Sequence, residues 1–221
     1  AAEGFGVQLA ARSPERLEPV RSDIAIRHNV EVTTHAYDAL DVAGAEGFLD
    51  ALPVKPTVVC SVVGWMGDQD ATAGDADMAR RAVESNFLGP AWVLEAAAKR
   101  LAEAGGSVIG VSSVAGDRGR AKNYWYGAAK AGFTAFLSGL RQKYAATPLH
   151  VLTVKPGFVD TAMTKGMDLP GPLTASAEEL GEGVFRAWKK GRTVVYLRPI
   201  WWVVMTIICF LPEWIFMKTK F

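Results

Sequence analysis

The sequence predicts a doubly wound α/β protein built on a parallel sheet. Short, solid apolar runs alternate with longer amphipathic stretches along nearly the whole chain. The runs are rich in β-branched residues and lack strict polar alternation, as expected of strands covered on both faces. The chain has 221 residues, of which 50% are apolar, enough for one domain with a sizeable core.

The elements follow in order. Residues 6–11 read as a strand and 14–28 as a helix, with Ser13 at its N-cap and Pro14 in its first turn. Residues 30–37 form a β-branched strand, 41–51 a short helix and 57–63 a solid apolar strand. Residues 72–104 read as one long helix, stopped by Gly105 and Gly106. A strand over 107–112, a helix over 124–146 and a strand over 149–155 follow, the last stopped by Pro156 and Gly157. A helix over 175–190 and a strand over 193–197 complete a domain spanning 1–198, and 199–221 is an apolar tail.

Composition narrows the function. The net charge of +1 gives no charge-driven affinity for nucleic acid. Cys60 and Cys209 lack metal-ligand spacing and read as buried thiols in a reducing compartment, the cytoplasm. His28, His35 and His150 share no spacing, so no metal site is expected. Residues 1–5 resemble the last turn of a helix followed by a Gly4 stop signal, and further residues are expected upstream.

In doubly wound sheets ligands bind beyond the carboxyl ends of the strands. Ser113 stands just after one such end. Tyr126 follows it by thirteen residues, and Lys130 follows Tyr126 by four. Residues four apart share a helix face, so Tyr126 and Lys130 point the same way. An ammonium beside a phenol favours the phenolate, and a helix N-terminus adds positive potential. The pair can thus exchange a proton near neutral pH, with Ser113 holding the reacting oxygen.

Ser113 with Tyr126-Gly127-Ala128-Ala129-Lys130 resembles the active-site signature of the short-chain dehydrogenases/reductases. The resemblance implies a Rossmann-type, three-layer domain that passes hydride between a nicotinamide cofactor and a carbonyl or alcohol. It implies Tyr126 as proton donor, Ser113 as its partner, Lys130 as pKa-lowering and ribose-binding residue, and Asn86 as the asparagine that supports a proton-relay water. It also implies that Pro156, Gly157, Val159 and Thr161 hold the carboxamide side of the nicotinamide, and that Asp38 contacts adenine, although Asp38 reads equally as a turn residue. A homodimer or homotetramer is the implied assembly.

Arg12 and Ser13 follow the first strand where an acidic residue would hold a ribose 2′-hydroxyl. They suit a 2′-phosphate instead, so NADP(H) is expected over NAD(H). Two departures stand out. The glycine-rich pyrophosphate turn and the strand before it are missing ahead of Ala1, leaving the strands at residues 6 and 57 with open edges. The family's Asn-Asn-Ala-Gly strand end is Ser61-Val62-Val63-Gly64 here, and only Gly64 survives.

Arg118, Arg120 and Lys122 form a basic loop between Ser113 and Tyr126, either solvated or facing an anionic substrate. The tail is uncharged from Trp201 to Leu211, is broken by Pro212 and Glu213, and ends with Lys218 and Lys220. It is too short for a simple span, at roughly 26 Å for residues 201–217. It suits a helix lying on the inner face of a membrane, or one packed on a partner subunit. The basic loop and tail are similar to those of decaprenylphosphoryl-2-keto-pentose reductases, which would imply a keto-sugar or lipid-linked carbonyl substrate. Two other classes compete with an enzyme: a cofactor-binding sensor or scaffold, and a membrane-attached structural subunit.

Overall fold

The computed structural model describes residues 1–219; Lys220 of the expected basic terminus lies outside them. The main sheet comprises β3 (Val58–Ser61), β4 (Gly106–Val111), β5 (Leu149–Pro156) and β8 (Val194–Leu197), all parallel, in the order β3-β4-β5-β8. β1 (Val7–Ala11) and β2 (Val32–Ala36) form a separate parallel pair. β1 and β3 are not hydrogen-bonded to each other. One side-chain bond crosses between their neighbourhoods, from Gln8 Nε2 to Val54 O at 2.8 Å. A further short parallel pair joins β6 (Phe158–Val159) to β7 (Thr174–Ala175).

Helices cover both faces of the main sheet. On one side α2 (Ala45–Ala51), α5 (Gly89–Ala104) and α6 (Tyr124–Lys143) pack over Val108 and Val151 through Leu49, Leu94, Phe133 and Leu137. On the other, α7 (Ala177–Lys189) covers Ile109, Leu152 and Val154 through Ala187 and its partly buried neighbours. Ser176 and Glu179 start α7 with a reciprocal capping box. α1 (Glu18–His28) buries no residue.

Several expectations need correction. The helix expected over 72–104 is three: α3 (Gln69–Gly74), α4 (Ala76–Val83) and α5, with a π-helical turn at Glu84–Leu88. Asp75 ends one helix and caps the next, accepting from Asp77 N at 2.8 Å and Met78 N at 3.2 Å. At Gly89 a Cβ would lie 2.2 Å from Ala39 O, so the chain approaches the β2–α2 connection where a side chain would not fit. Ser13 makes no cap bond, because Pro14–Leu17 is a 3₁₀ turn and α1 starts later. Cys60 and Cys209 are exposed thiols, not buried ones: Cys60 lies on β3 and Cys209 near the end of α8 (Ile200–Phe210).

The tail folds back onto the domain. Trp201, Met205 and Ile208 of α8 are buried against Val114. Trp201 Nε1 donates to Leu173 O at 3.0 Å. Arg118 donates to Ile208 O at 2.5 Å and Leu211 O at 2.7 Å, and bridges Glu213 at 2.7 Å. Thus Arg118 closes the carboxyl end of α8 and holds α9 (Glu213–Phe216), with its guanidinium 3.8 Å above the Phe216 ring. Among the described residues no helix is long and apolar enough to cross a membrane.

Candidate active site

β4 ends at Val111 and delivers Ser112 and Ser113 to the face of α6. Ser112 Oγ bonds Lys130 O at 3.0 Å and Thr134 Oγ1 at 2.7 Å. Ser113 Oγ accepts from Ala115 N at 3.1 Å, so the turn after β4 is fixed by its own serine. This turn lies flat on α6. A Cβ at Gly116 would meet Lys130 C at 2.7 Å, and one at Gly127 would meet Ala115 O at 2.8 Å. Small residues therefore let Ser113, Tyr126 and Lys130 approach.

Lys130 is 3% exposed. Its Nζ donates to Val111 O at 3.0 Å and more weakly to Val63 O at 3.4 Å, and lies 5.9 Å from the centre of the Tyr126 ring. Burial lowers its pKa to about 8. The expectation that Lys130 depresses the Tyr126 phenol is not the dominant effect here. Burial pushes Tyr126 up, and the groups that oppose it are the Ser113 hydroxyl and then the Arg120 charge. Lys130 sits against the ring and spends its hydrogen bonds on two backbone carbonyls.

Asn86 is fully buried in the π-helical turn. Its Oδ1 accepts from Trp65 N at 3.0 Å, while Nδ2 donates to Trp65 O at 2.6 Å and Ala82 O at 2.8 Å. Two of these bonds pin Trp65 in the segment after β3, and the third ties the side chain to α4. Gly64 lies in that segment, where a Cβ would stand 3.1 Å from Asn86 Oδ1 and 3.6 Å from both Lys130 Nζ and Met163 Cε. The glycine retained from the family pattern thus sits where β3, the π turn and α6 converge.

Arg12, Asp38 and Gly64 line one open groove between the ends of β1 and β3, with Tyr37, Arg81 and Ser85. Ser13 is not part of that lining. Asp38 also accepts from Leu40 N at 3.0 Å, so it is both a turn residue and a groove residue. The Tyr37 hydroxyl is buried without a partner, and burial, then Asp41 and Asp38, push its pKa up to about 12. Arg81 stacks over Trp65 at 4.7 Å. Nothing in the local sequence marked Tyr37, Arg81 or Trp65, whose place depends on the fold.

Pro156 ends β5, Val159 lies in β6, and Thr161 is exposed beyond it. Val159 O accepts from Thr164 Oγ1 at 2.6 Å, and Thr164 Oγ1 accepts in turn from Thr161 N at 3.1 Å. Gly157 has a structural partner that the sequence did not disclose. A Cβ there would lie 1.9 Å from the Trp201 ring, so the tail helix needs a glycine at this turn. No cluster of metal-ligating residues occurs among the described residues.

The short chain dehydrogenase family model matches residues 1–169. An uncharacterized oxidoreductase of Mycobacterium tuberculosis is 34% identical over 200 residues, covering 89% of this chain and 80% of the relative. One from Streptomyces coelicolor is 28% identical over 216 residues, covering 96% and 84%. Among solved structures, a short-chain dehydrogenase from Burkholderia cenocepacia in complex with NADP matches with a TM-score of 0.80 at 18% identity, covering 99% and 98%. A Sphingobium yanoikuyae short-chain dehydrogenase in complex with NADPH matches at 0.78 and 19%, covering 96% and 89%. At these identities the structures attest the fold, and the family follows from the sequence match: the chain belongs to the short-chain dehydrogenase family of oxidoreductases.

Proposed function

We propose that the protein is an NADP(H)-dependent carbonyl reductase in which Tyr126 supplies the proton. The observation that carries this reading is that Lys130 Nζ and Asn86 Oδ1 flank Gly64 of the groove that holds Arg12 and Asp38, while Tyr126 lies against Lys130 on α6 and Ser113 on the turn packed over that helix.

The groove fits a dinucleotide at both ends. At the outer end Arg12, with Ser13 beside it, would take a ribose 2′-phosphate, and Asp38 would meet adenine. At the inner end Lys130 would bind ribose hydroxyls, with Pro156, Gly157, Val159 and Thr161 on the carboxamide side. The unpartnered Tyr37 hydroxyl is a free polar atom for the bound cofactor. NADPH and NADP in two structural relatives favour the phosphate form, although a Brucella melitensis relative is complexed with NAD. When bound, the nicotinamide supplies the hydride.

The protein's own residues handle the oxygen. Ser113 and Tyr126 hold the substrate carbonyl. Negative charge grows on that oxygen, and Tyr126 gives up its proton there. The raised Tyr126 pKa keeps the phenol protonated at neutral pH, the form a reductase needs. Asn86 fixes the floor at Trp65 and would order the water that reprotonates the site. A keto sugar or lipid-linked ketone is the substrate class favoured by the basic loop and tail. Contact with a membrane surface is supported by the exposed outer face of α8 and α9, where Trp202, Ile207, Phe210 and Trp214 stand in solvent.

Oxidation of NADPH by a panel of ketones tests the reading. NADPH should give the higher kcat/KM, and Arg12→Ala should lower the NADPH to NADH ratio by about tenfold or more. A wild-type preference for NADH would overturn the cofactor assignment. Cofactor binding with no ketone turned over would favour the sensor or scaffold.

A further inference from the structure

The basic loop divides its three cations among three fates. Arg118 is committed to the tail through two carbonyls and Glu213. Lys122 is exposed. Arg120 is partly buried, makes no ion pair among the described residues, and its Nε is out of solvent without a partner. Asp117 is the acid whose charge Arg120 feels, and no ion pair joins the two among the described residues. Asp117 is occupied on both oxygens, by Lys155 Nζ at 2.5 Å and by the Tyr196 hydroxyl at 2.8 Å. A partly buried guanidinium without an anion is unfavourable unless a ligand supplies one.

Arg120 is also close enough to Tyr126 for each to feel the other's charge. Asn123 N donates to Arg120 O at 3.1 Å, and Asn123 lines a small recess beside Tyr126 together with Trp65, Gln69 and Trp125. Two more polar atoms there are buried and unpartnered: Gln69 Nε2, a donor, and Asn123 Oδ1, an acceptor. Three unsatisfied polar atoms near one catalytic phenol are unusual, because buried polar groups are nearly always paired. Gln69 and Asn123 line this recess, which shares only Trp65 with the groove that holds Arg12 and Asp38.

We propose that Arg120 is a specificity-determining residue that binds an anionic group, a carboxylate or phosphate, on the carbonyl substrate, with Gln69 and Asn123 completing that end of the site. The planar guanidinium suits either anion through paired hydrogen bonds. The inference rests on the carbonyl-reductase reading above and adds the chemistry of what is reduced.

Full-length enzyme and its Arg120→Gln and Arg120→Lys variants are compared on three matched ketones: 4-acetylbenzoate, 4-acetylphenyl phosphate and methyl 4-acetylbenzoate. Wild type should prefer one of the anionic ketones to the neutral ester, and which one distinguishes a carboxylate from a phosphate site. In Arg120→Gln the anionic-to-neutral ratio of kcat/KM should fall about 10- to 100-fold, mainly through KM, with partial recovery in Arg120→Lys. An equal fall on all three ketones, with a shifted pH profile, would mean that Arg120 acts only through Tyr126 and would overturn the proposal. No anionic preference in wild type would overturn it while leaving the reductase reading intact. Should none of these ketones turn over, binding of benzoate and phenyl phosphate, followed by tryptophan fluorescence, decides. Affinity that falls tenfold or more in Arg120→Gln supports the site, and equal or absent affinity in both proteins defeats it.

Discussion

The two halves of the site are held in different ways. On the catalytic side, Ser112 bonds α6 twice, Lys130 donates to two strand-end carbonyls, and Asn86 clamps Trp65. Gly116 and Gly127 bring the backbone of two elements into contact. On the nucleotide side, Val32 is the one buried residue of β1 and β2, and α1 buries none. The links from there to the main body include the Tyr37–Phe48 stack at 4.4 Å, the Gln8–Val54 bond, the edge contact of Phe5 with Trp188 at 5.8 Å and the exposed Lys189–Glu3 bridge at 3.4 Å. The proton-transfer geometry is therefore preorganised in a rigid frame. The groove that would take adenosine is lined from a pair of strands that bury little of their own surface among the described residues.

Lys130→Met probes the tight half most severely. It should lower kcat/KM by about 10²-fold or more, through loss of the proposed ribose contact and of the strand-end bonds that order the site. It should also stabilise the fold. In the folded state the Lys130 pKa is about 8, below its ordinary 10.5, so charging it opposes folding. At about 1.4 kcal/mol per pKa unit, the variant gains up to about 3 kcal/mol at pH 7. Between pH 8 and 10.5 the unfolded wild type binds more protons, so wild-type stability rises with pH there and the variant's advantage shrinks. Denaturant melts at pH 7 and pH 10 measure both; a variant less stable at pH 7 would show that the two carbonyl bonds outweigh desolvation.

Gly157→Ala comes next. Its methyl would fall inside the Trp201 ring, so α8 must shift, with a loss of about 1–3 kcal/mol. Unchanged stability would mean that the tail is not seated on the turn. Gln8→Ala is the smallest. It should leave global stability within about 0.5 kcal/mol and speed hydrogen exchange in β1 and β2 alone. Exchange that quickens in β4 as well would show that the halves are one unit.

This division also explains what the sequence disclosed. Ser113, Tyr126 and Lys130 are close in sequence and joined by a turn and one helix face, so spacing alone brings them together. The break at Gly74-Asp75 was visible as a stop followed by a cap, but the apolar pattern ran across it. Arg118 and Gly157 were not legible in role, because their partners lie 90 and 44 residues away on a tail that has to fold back. Arg120 could be marked as basic, but only the packed structure separates it from Arg118 and Lys122.

The central claim is that Tyr126 is the proton donor of a carbonyl reductase. Turnover of NADPH with the best ketone, compared between wild type and Tyr126→Phe, tests it most directly. A fall in kcat of about 10²-fold or more, with NADPH affinity retained by fluorescence, is the predicted result. Unchanged turnover in Tyr126→Phe would contradict it.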